Sequence, residues 1–594
     1  MFLVTILSGM RVLAFLLAPA CLCAVVPRPV VPDKVTDLFV PAPFESQKIE
    51  GLLGDRMRMN LEGRLLHLDQ KAVLQGFQHR PGEQEWIGEH AGKFLDAAAN
   101  TWAFSHDEKL KTLMDSVARQ LMAAQAADGY LGTYADNQRW TSWDVWTHKY
   151  DLLGLLAYYR VTGDPAALAT CRRIGDLLIE TFGEKPRQRD IIRSGEHVGM
   201  AATSVLEPMV MLYRYTGNHA YLDFCFYLTR AWEQPNGPHI ISSLMTTGSV
   251  FKTANAKAYE MLSNLVGLAD LYRISGEVRF LTPVELAWLD ISERRLYISG
   301  TTSSSEHFRD NDQLPADEKA EVGEGCVTVT WMQLNWQLLR LTGESKYADQ
   351  LERSIFNQLL AAQDSQSGDI CYFTPLNGRK NASKGISCCV SSEPRGIAMI
   401  PLTIWGERAG GIAINQYVPG HVTTRFADIQ SETTFPLSGH VSLTINPPAG
   451  KQFPVYLRVP EWTQHFAATV DGVRYAGHPG EYLPIERHWA KGDKIEVEME
   501  MTVQVISGAP TYPNSVAIQR GPQVLALEKD LNRDQEPDDA APKGLQVSLR
   551  DASAELPKWW TSREAFAVDG KSGSMLILVP FADAKDYRVW LKKP

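Results

Sequence analysis

The chain has 594 residues and a formal net charge of −10, with no block of like charge. This length exceeds one ordinary domain and predicts two or three, and the apolar fraction of 44% is sufficient for large cores. The acidic balance excludes the extended basic face that nucleic-acid binding requires, so we expect no nucleic-acid partner.

Residues 1–24 are typical of a secretory signal peptide. Arg11 precedes an apolar run from Val12 to Leu22, and Ala24 is a suitable cleavage point. The run is too short for a membrane span, and no later segment has the required length and apolarity. We therefore expect a secreted or periplasmic protein without a membrane span, while Cys21 leaves lipoprotein anchoring open.

Residues 85–360 carry apolar side chains at helical spacing, for example over residues 110–127 and 165–182. A short motif with arginine, a hydroxyl residue and glycine recurs after such segments. Each glycine fits a helix C-terminus, where a left-handed residue is favoured, and the polar residue after it fits the start of the next helix. The motif occurs at residues 159–164, 213–218, 272–277 and 339–344.

These motifs are 54 to 67 residues apart, which is the length of a helical hairpin with its loops. Repeated hairpins predict a ring of paired helices, closed as an (α/α)6 barrel or open as an α-solenoid. Long interruptions at residues 234–254 and 297–324 favour the barrel, because insertions of this size often build active-site walls. We assign residues 27–404 to this catalytic domain.

The pattern changes at Trp405, after which helical periodicity stops. Short runs with alternating apolar residues follow, bounded by proline and glycine. We predict that residues 405–594 form a β-sandwich region, as one sandwich or two smaller ones. The runs lie at residues 411–418, 440–446, 453–459, 494–501 and 515–519.

Three cysteines and a glutamate form the sharpest chemical pattern. They occur as Glu324-Gly-Cys326 and the adjacent pair Cys388-Cys389. Three thiols and a carboxylate can supply the four ligands of a tetrahedral zinc site, and soft thiolates favour zinc over magnesium or calcium. A disulfide or simply buried thiols are alternatives that the residues alone leave open.

A glutamate in the second long interruption is a further candidate. Glu306 lies in the segment Ser303-Ser-Ser-Glu-His-Phe308. A glutamate in such a loop can serve as a general acid. Taken alone, however, the segment favours a solvated loop residue.

Several short motifs recur in a fixed order along the chain. They are Asp128-Gly-Tyr-Leu-Gly-Thr133, Trp146-Thr-His148-Lys-Tyr150, Glu324-Gly-Cys326, Cys388-Cys389 with Arg395, and residues 456–462 and 517–522. Together they resemble glycoside hydrolase family 127, the zinc-dependent β-L-arabinofuranosidases and their relatives. Each motif is weak, but their number and order are specific.

The resemblance implies a role for each residue of the cysteine pattern. Glu324, Cys326, Cys388 and Cys389 would bind Zn²⁺, and Cys388 would attack the anomeric carbon. Glu306 would protonate the leaving oxygen and then deprotonate water. This is the retaining double displacement with sulfur in place of the usual carboxylate.

The resemblance also suggests residues that contact the substrate. His148 and Tyr150 belong to the tryptophan-containing motif, and Arg395 follows the cysteine pair. Tyr372 precedes that pair and could line the pocket. With Lys257, these residues form the predicted substrate-binding set.

Departures from the family pattern bear on the sugar. A family histidine reads Thr203 here, although the glutamate of the same segment survives as Glu207. The family segment His-Ala-Val-Arg reads Lys257-Ala-Tyr-Glu260, and an asparagine reads Ser392. These changes suggest the same chemistry on a different sugar. Lys257 could pair with a substrate carboxylate, or with Glu260 or another neighbouring glutamate.

We therefore predict an exo-acting, retaining glycoside hydrolase. Its substrate would be an oligosaccharide or glycan of plant origin, from which it releases a non-reducing-end β-L-arabinofuranosyl or related sugar, including an acidic one. One alternative is a polysaccharide lyase or hydrolase of similar architecture with a structural zinc. Another is a catalytically inactive carbohydrate-binding protein. The sequence does not determine the oligomeric state.

Overall fold

The computed structural model describes residues 27–448, 450–533, 540–557, 560, 564–571 and 573–594. The signal peptide predicted at residues 1–24, including Cys21, lies outside the described residues. Within the described part of the chain, no helix has both the length and the apolar character needed to cross a bilayer. The protein is a mixed multidomain structure, helical in its first part and built of β-sheets in its last part.

The α-helices precede residue 405 and alternate with loops of varied length. They are Gly51–Met59, Gln70–Gln78, Glu89–Ser105, Glu108–Ala123, Asp144–Thr162, Pro165–Thr181, Met200–Thr203, Leu206–Thr216, His219–Trp232, Ile240–Thr247, Ala258–Ser275, Val278–Arg294, Gly325–Thr342, Ser345–Ser354, Leu360–Ala362, Cys388–Ala398 and Ile400–Ile404.

The recurring glycine motif ends helices as predicted. Its glycines all adopt left-handed backbone angles, with φ between 66° and 71°. Asp164 and Asn218 then cap the next helices, accepting hydrogen bonds from the backbone N–H groups of Ala166 and Ala220. Pro165 occupies a first-turn position, where its missing N–H is harmless. The glycines are Gly163, Gly217, Gly276 and Gly343.

Six helices pack side by side in a closed ring. Each contacts the next in chain order, and the last contacts the first. Several of them are buried along most of their length because other helices pack on their outer side. The ring consists of Glu89–Ser105, Asp144–Thr162, Leu206–Thr216, Ala258–Ser275, Gly325–Thr342 and Cys388–Ala398.

The strands form three main sheets and one small ribbon. Described by chain position, they are Phe39–Pro41, Gln47–Ile49, Ile370–Cys371, Asn377–Arg379, Ala382–Ser383, Trp405–Arg408, Gly411–Ile414, Gly420–Thr423, Asp428–Thr433, His440–Asn446, Lys451–Arg458, Phe466–Val470, Val473–Gly477, Tyr482–Trp489, Asp493–Met499, Val503–Ser507, Ser515–Arg520, Gln523–Glu528, Arg550–Asp551, Phe566–Asp569, Met575–Pro580, Asp586–Arg588 and Leu591–Lys592. The first two sheets share one continuous cluster of buried apolar residues with the helical region.

Residues 39–49 depart from the domain division expected from the sequence. Phe39–Pro41 pairs with Trp405–Arg408, and Gln47–Ile49 pairs with Gly420–Thr423. This segment therefore belongs to the β-sheets and not to the helical domain. Three-residue strands are too short to show alternation, which explains why the sequence pattern missed them.

The third sheet reaches back to the helical region. Its strand Asp586–Arg588 pairs with Asn377–Arg379, which lies in the connection leading to the helix Cys388–Ala398. The hydroxyl of Tyr587 donates a hydrogen bond to the carbonyl of Pro375 at 2.6 Å. The C-terminal sheet thereby fixes the connection that carries the cysteine pair.

A buried arginine joins the β region to the helices. Arg458 is fully buried, and its guanidinium donates to the carboxylates of Asp349 and Glu352 and to the carbonyl of Asn415. Trp462 donates its indole N–H to Glu352 at 2.8 Å. The carboxylates depend on these donors because they have little access to water.

Replacing Arg458 by methionine should destabilise the protein by about 3–5 kcal/mol, because two buried carboxylates lose their cation. The measurement is chemical denaturation followed by tryptophan fluorescence. Arg474→Met is the matched control, since Arg474 pairs with Glu498 at 3.7 Å and both side chains are largely exposed. The control should change stability by less than about 1 kcal/mol. Equal effects of the two substitutions would contradict the assigned role of Arg458.

Candidate active site

The predicted cysteine and glutamate set comes together in space. The ligand atoms of Glu324, Cys326, Cys388 and Cys389 all lie within 4.8 Å of one another. The Cys389 Sγ is 3.5 Å from that of Cys326 and 3.8 Å from that of Cys388, whereas a disulfide needs about 2.05 Å. All three thiols are free, so the disulfide alternative is not realised. Cys171 is likewise a buried free thiol, as is Cys225.

Two helix N-termini point at this cluster. Glu324 immediately precedes the helix Gly325–Thr342, and Cys388 is the first residue of the helix Cys388–Ala398. Unpaired N–H groups and the helix dipole make such termini favourable places for negative charge. The backbone N–H of Cys326 donates to the Cys389 Sγ at 3.4 Å. The two helix termini and this hydrogen bond therefore offset part of the cost of negative charge at the cluster.

The donor set fits a soft divalent cation. Burial raises the pKa of Glu324 and of Cys326, and the neighbouring Cys326 raises the pKa of Glu324 further. Hydrogen bonds with Cys326 and Cys389 lower the pKa of Cys388 to about 5. Glu324 Oε2 is buried and makes no hydrogen bond to any described residue. A bound cation would satisfy that oxygen and keep the thiols ionised, so the set could hold a metal.

A lysine lies beneath the cluster. Lys93 is fully buried, forms a 2.9 Å ion pair with Glu89 and donates to the Cys388 carbonyl at 3.2 Å. Its Nζ is 3.9 Å from the Cys326 Sγ. Burial disfavours its charge, but Cys326 and Glu89 together raise the pKa of Lys93 above its ordinary value. A permanent positive charge thus faces the thiols from below.

The candidate acid and the candidate nucleophile are bridged by one hydroxyl. Tyr372 donates its phenol O–H to Glu306 Oε1 at 2.8 Å, and the Cys388 thiol lies 3.0 Å from the same phenol oxygen. Lys257 forms an ion pair with Glu306 Oε2 at 2.5 Å. Glu306 also has a left-handed backbone, with φ of 64°, which is strained for a residue with a side chain.

The Lys257 ammonium is therefore already paired with Glu306. A pair with a neighbouring glutamate was one of the two roles expected for Lys257 from the sequence. Burial by itself would raise the pKa of Glu306, but the Lys257 ammonium and the Tyr372 hydroxyl bring it below its ordinary value. The pair therefore favours the ionised form of Glu306.

These groups surround a cavity of about 340 Å³. Cys388 lies on its wall and is the only partly exposed thiol of the cluster among the described residues. The wall also includes the carboxylates of Glu89, Glu260, Glu306 and Glu324 and the rings of Trp86, Trp143, Trp146, Tyr259 and Tyr372. Aromatic faces with a few convergent polar groups are typical of a ligand pocket.

Other residues predicted to bind substrate do not line this cavity. His148 is fully buried and uses both ring nitrogens, toward the Asp144 carbonyl and the Leu131 N–H, so its expected role is corrected to a packing one. Tyr150 is buried and hydrogen-bonds the Tyr259 hydroxyl. Arg395 is buried in an ion pair with Asp96 at 2.7 Å. Tyr150 therefore supports the wall residue Tyr259, and neither Tyr150 nor Arg395 lies at the cavity wall, where contact with the sugar was expected.

Three polar residues at or near the cavity were not among the site residues predicted from the sequence. Glu89 and Glu260 line it, and the ring of His197 lies 5.5 Å from that of Trp143 at its edge. Burial raises the pKa of Glu260 to about 7, against the effect of Lys257. The sequence did contain a signal for Glu89. Glu89 and Lys93 are four residues apart in an apolar helix, and this spacing indicates a buried ion pair.

Comparison with known proteins identifies the family. The family model described as beta-L-arabinofuranosidase, GH127 catalytic domain, matches residues 48–401, more than half of the chain, and the GH127 middle-domain model matches residues 411–501. The chain belongs to glycoside hydrolase family 127. This family 127 protein is accordingly a glycoside hydrolase, as its sequence motifs predicted.

Individual relatives agree with that assignment. A non-reducing end beta-L-arabinofuranosidase of Bifidobacterium longum is 26% identical over 505 residues, covering 74% of each chain. A solved GH127 beta-arabinofuranosidase is 21% identical, with a TM-score of 0.79, and covers 94% of this chain and 98% of its own. A GH127 beta-L-arabinofuranosidase from Geobacillus stearothermophilus T6 is 20% identical, with a TM-score of 0.78, and covers 92% of this chain and all of its own. The structures at this identity establish a shared fold.

In the metal-free, reduced family 127 protein, iodoacetamide should alkylate Cys388 before Cys326 and Cys389. Cys388 is partly exposed, and its pKa of about 5 leaves it ionised at neutral pH, so its rate should stay level from about pH 6 upward. Peptide mass mapping over time measures this order. In denaturant the three thiols should react alike, and equal rates in the folded protein would contradict the geometry.

Proposed function

We propose that this protein is a retaining exo-glycoside hydrolase that releases a non-reducing-end β-L-arabinofuranosyl residue from plant-derived glycans. Cys388 is the nucleophile and Glu306 is the acid and base. The supporting observation is the Tyr372 hydroxyl, which contacts both groups at the wall of one cavity. Two groups joined through a single hydroxyl are close to the spacing of about 5–5.5 Å that retaining enzymes use.

The first half of the reaction forms a bond from sulfur to the sugar. The Cys388 thiolate attacks the anomeric carbon as the glycosidic bond breaks, and protonated Glu306 gives its proton to the leaving oxygen. Lys257 holds Glu306 at its other oxygen. Tyr372 hydrogen-bonds the carboxyl group and keeps it oriented toward the sulfur side of the cavity.

The second half returns the enzyme to its starting state. Glu306, now a carboxylate, takes a proton from water, and the resulting hydroxide oxygen attacks the anomeric carbon from the side that the first leaving group occupied. The carbon–sulfur bond breaks and the Cys388 thiolate is regenerated. Two inversions give net retention. The lowered pKa of Glu306 suits this half of the reaction, in which it acts as a base.

The proposed cofactor is Zn²⁺, held by Glu324, Cys326, Cys388 and Cys389. When bound, zinc would keep the thiols ionised near neutral pH without a separate base. A purely structural zinc is the alternative, since sites with four protein ligands are usually structural. The exposure of Cys388 to the cavity, in contrast to buried Cys326 and Cys389, supports a catalytic site.

A neutral sugar fits the cavity better than an acidic one. Four carboxylates line the wall, and the ammonium of Lys257 is already paired with one of them, Glu306. A substrate carboxylate would have to displace that pair. The names of the relatives, beta-L-arabinofuranosidases, support arabinofuranose as the neutral sugar.

The architecture and location of the enzyme are part of the proposal. The closed ring of six helices with helices packed outside it supports an (α/α)6 barrel. Secretion or periplasmic export, with lipid anchoring through Cys21 as an alternative, rests on the sequence of residues 1–24.

Cys388→Ser should lower turnover of p-nitrophenyl β-L-arabinofuranoside by at least about 1000-fold, because a serine hydroxyl is a far weaker nucleophile than a thiolate. Metal analysis of the wild type should give about one zinc per chain, as one four-ligand site requires. Cys171→Ser is the control, since Cys171 is a buried free thiol that does not line the cavity. It should keep both activity and metal.

Other results would select among the alternatives. Zinc with full activity in a folded Cys388→Ser variant would make the metal structural and exclude the cysteine nucleophile. Sugar binding without turnover in the wild type would favour the inactive carbohydrate-binding protein.

Lys257→Met should move the basic limb of the kcat/KM profile to higher pH. Removing the ammonium raises the pKa of Glu306, so Glu306 stays protonated, as the first half of the reaction requires, to a higher pH. The pH dependence of hydrolysis measures the change. Lys252→Met, which removes an exposed lysine of the preceding loop, should leave the profile unchanged.

The same pair of variants tests the acidic-sugar alternative. Wild-type enzyme that prefers a carboxylated glycoside, and loses this preference in Lys257→Met but not in Lys252→Met, would show that Lys257 binds a substrate carboxylate. Equal hydrolysis of the acidic substrate by the wild type and Lys257→Met would exclude that role.

A further inference from the structure

Glu260 is a buried carboxylate of the cavity wall with one unused acceptor oxygen. It lies in the first turn of the helix Ala258–Ser275, is 1% exposed and forms part of the cavity wall. Its Oε2 makes no hydrogen bond to any residue that the structure describes. Its Oε1 is 3.9 Å from His197 Nε2, which is too far for a hydrogen bond.

The groups around Glu260 do not satisfy this oxygen. Lys257 is one helical turn away, but its ammonium is committed to Glu306 at 2.5 Å. Tyr259 directs its hydroxyl to Tyr150. A buried carboxylate oxygen without a donor costs free energy, and a carboxylate can only accept hydrogen bonds. A molecule bound in the cavity, whose wall includes Glu260, can supply the donor that the protein does not.

We infer that Glu260 is a specificity-determining residue that accepts a hydrogen bond from a hydroxyl group of the sugar bound in the cavity. The ligand class is a neutral sugar with a free ring or exocyclic hydroxyl at that position. A carboxylated sugar at the same position is repelled by Glu260, and a deoxygenated sugar leaves the Oε2 without a partner. The inference rests on the proposed function for the identity of the sugar.

The alternative role for Glu260 is electrostatic support of Lys257. The two roles differ in what they predict for modified substrates. A support role lowers activity toward every substrate by the same factor, because the substrate does not touch Glu260. A hydrogen bond to the sugar makes the effect of the substitution depend on whether one particular hydroxyl is present.

The experiment combines substitutions at Glu260 with deoxygenated substrates. The wild type, Glu260→Gln and Glu260→Ala are assayed on p-nitrophenyl β-L-arabinofuranoside and on its 2-deoxy, 3-deoxy and 5-deoxy analogues. Loss of one hydroxyl should lower wild-type kcat/KM by about 10- to 100-fold, as expected for a hydrogen bond to a charged group. In Glu260→Ala the loss of that same hydroxyl should lower kcat/KM by less than about threefold. We call this ratio of kcat/KM values the deoxy penalty.

The conservative variant and a control separate binding from folding. Glu260→Gln keeps the shape and one acceptor oxygen and should show an intermediate penalty. Glu196→Gln removes a carboxylate from an exposed residue that does not line the cavity, and it should reproduce the wild-type pattern. The inference is overturned if all three deoxy penalties in Glu260→Ala equal those of the wild type.

A binding measurement keeps the inference independent of turnover. Methyl β-L-arabinofuranoside and its deoxy analogues are titrated against the tryptophan fluorescence of Trp143 and Trp146 in the cavity wall. If the wild type binds the parent glycoside without hydrolysing it, and the deoxy penalty again disappears in Glu260→Ala, the proposed reaction fails and the inference stands. Failure of the wild type to bind any of these sugars overturns the inference for this class.

Discussion

Negative charge concentrated in a small buried space is the constraint on which the site depends. Glu324 and three thiols share a volume in which every pair of ligand atoms lies within 4.8 Å. Ionising them together is costly unless positive charge is supplied. The fold supplies part of it through two helix N-termini and the fully buried Lys93. A bound cation would supply more of it.

The same constraint explains why the site lies at the joining point of several elements. The helix Gly325–Thr342 carries Cys326, and the helix Cys388–Ala398 carries the adjacent pair, so the cluster forms only when these neighbours in the ring pack together. The C-terminal sheet holds the connection before the second helix through Asn377–Arg379. Elements distant in sequence therefore act together to set the distance between Tyr372 and Cys388.

Two lysines neutralise different groups at the site. Lys93 lies beside the thiols of the cluster, and Lys257 is paired with Glu306 at the cavity wall. Glu260 is part of the wall of the same cavity and has one oxygen unused. In the proposed reaction a nucleophile that stays ionised and an acid that changes its protonation state need different electrostatic surroundings, and Lys93 beside the thiols and Lys257 beside Glu306 would provide them.

The sequence alone determined the features that depend on neighbouring residues. Helix ends at Gly163 and the three related glycines, and caps at Asp164 and Asn218, follow from local backbone preferences and were predicted correctly. The motifs also determined the family, and they predicted which four residues, Glu324 and the three cysteines, come together in one cluster. The strands at residues 39–49 were missed, since short strands carry too little periodicity.

Only the tertiary structure decided which polar side chains reach the cavity. His148 and Lys257 look equally suited to bind a sugar from their motifs, yet one is enclosed in the core and the other pairs with a glutamate 49 residues away. The sequence indicated Glu260 only as a possible partner of Lys257, because its unused oxygen exists only after the neighbouring donors have found other partners. Burial and the choice of hydrogen-bond partner depend on contacts between distant segments, and these arise only when the whole chain has folded.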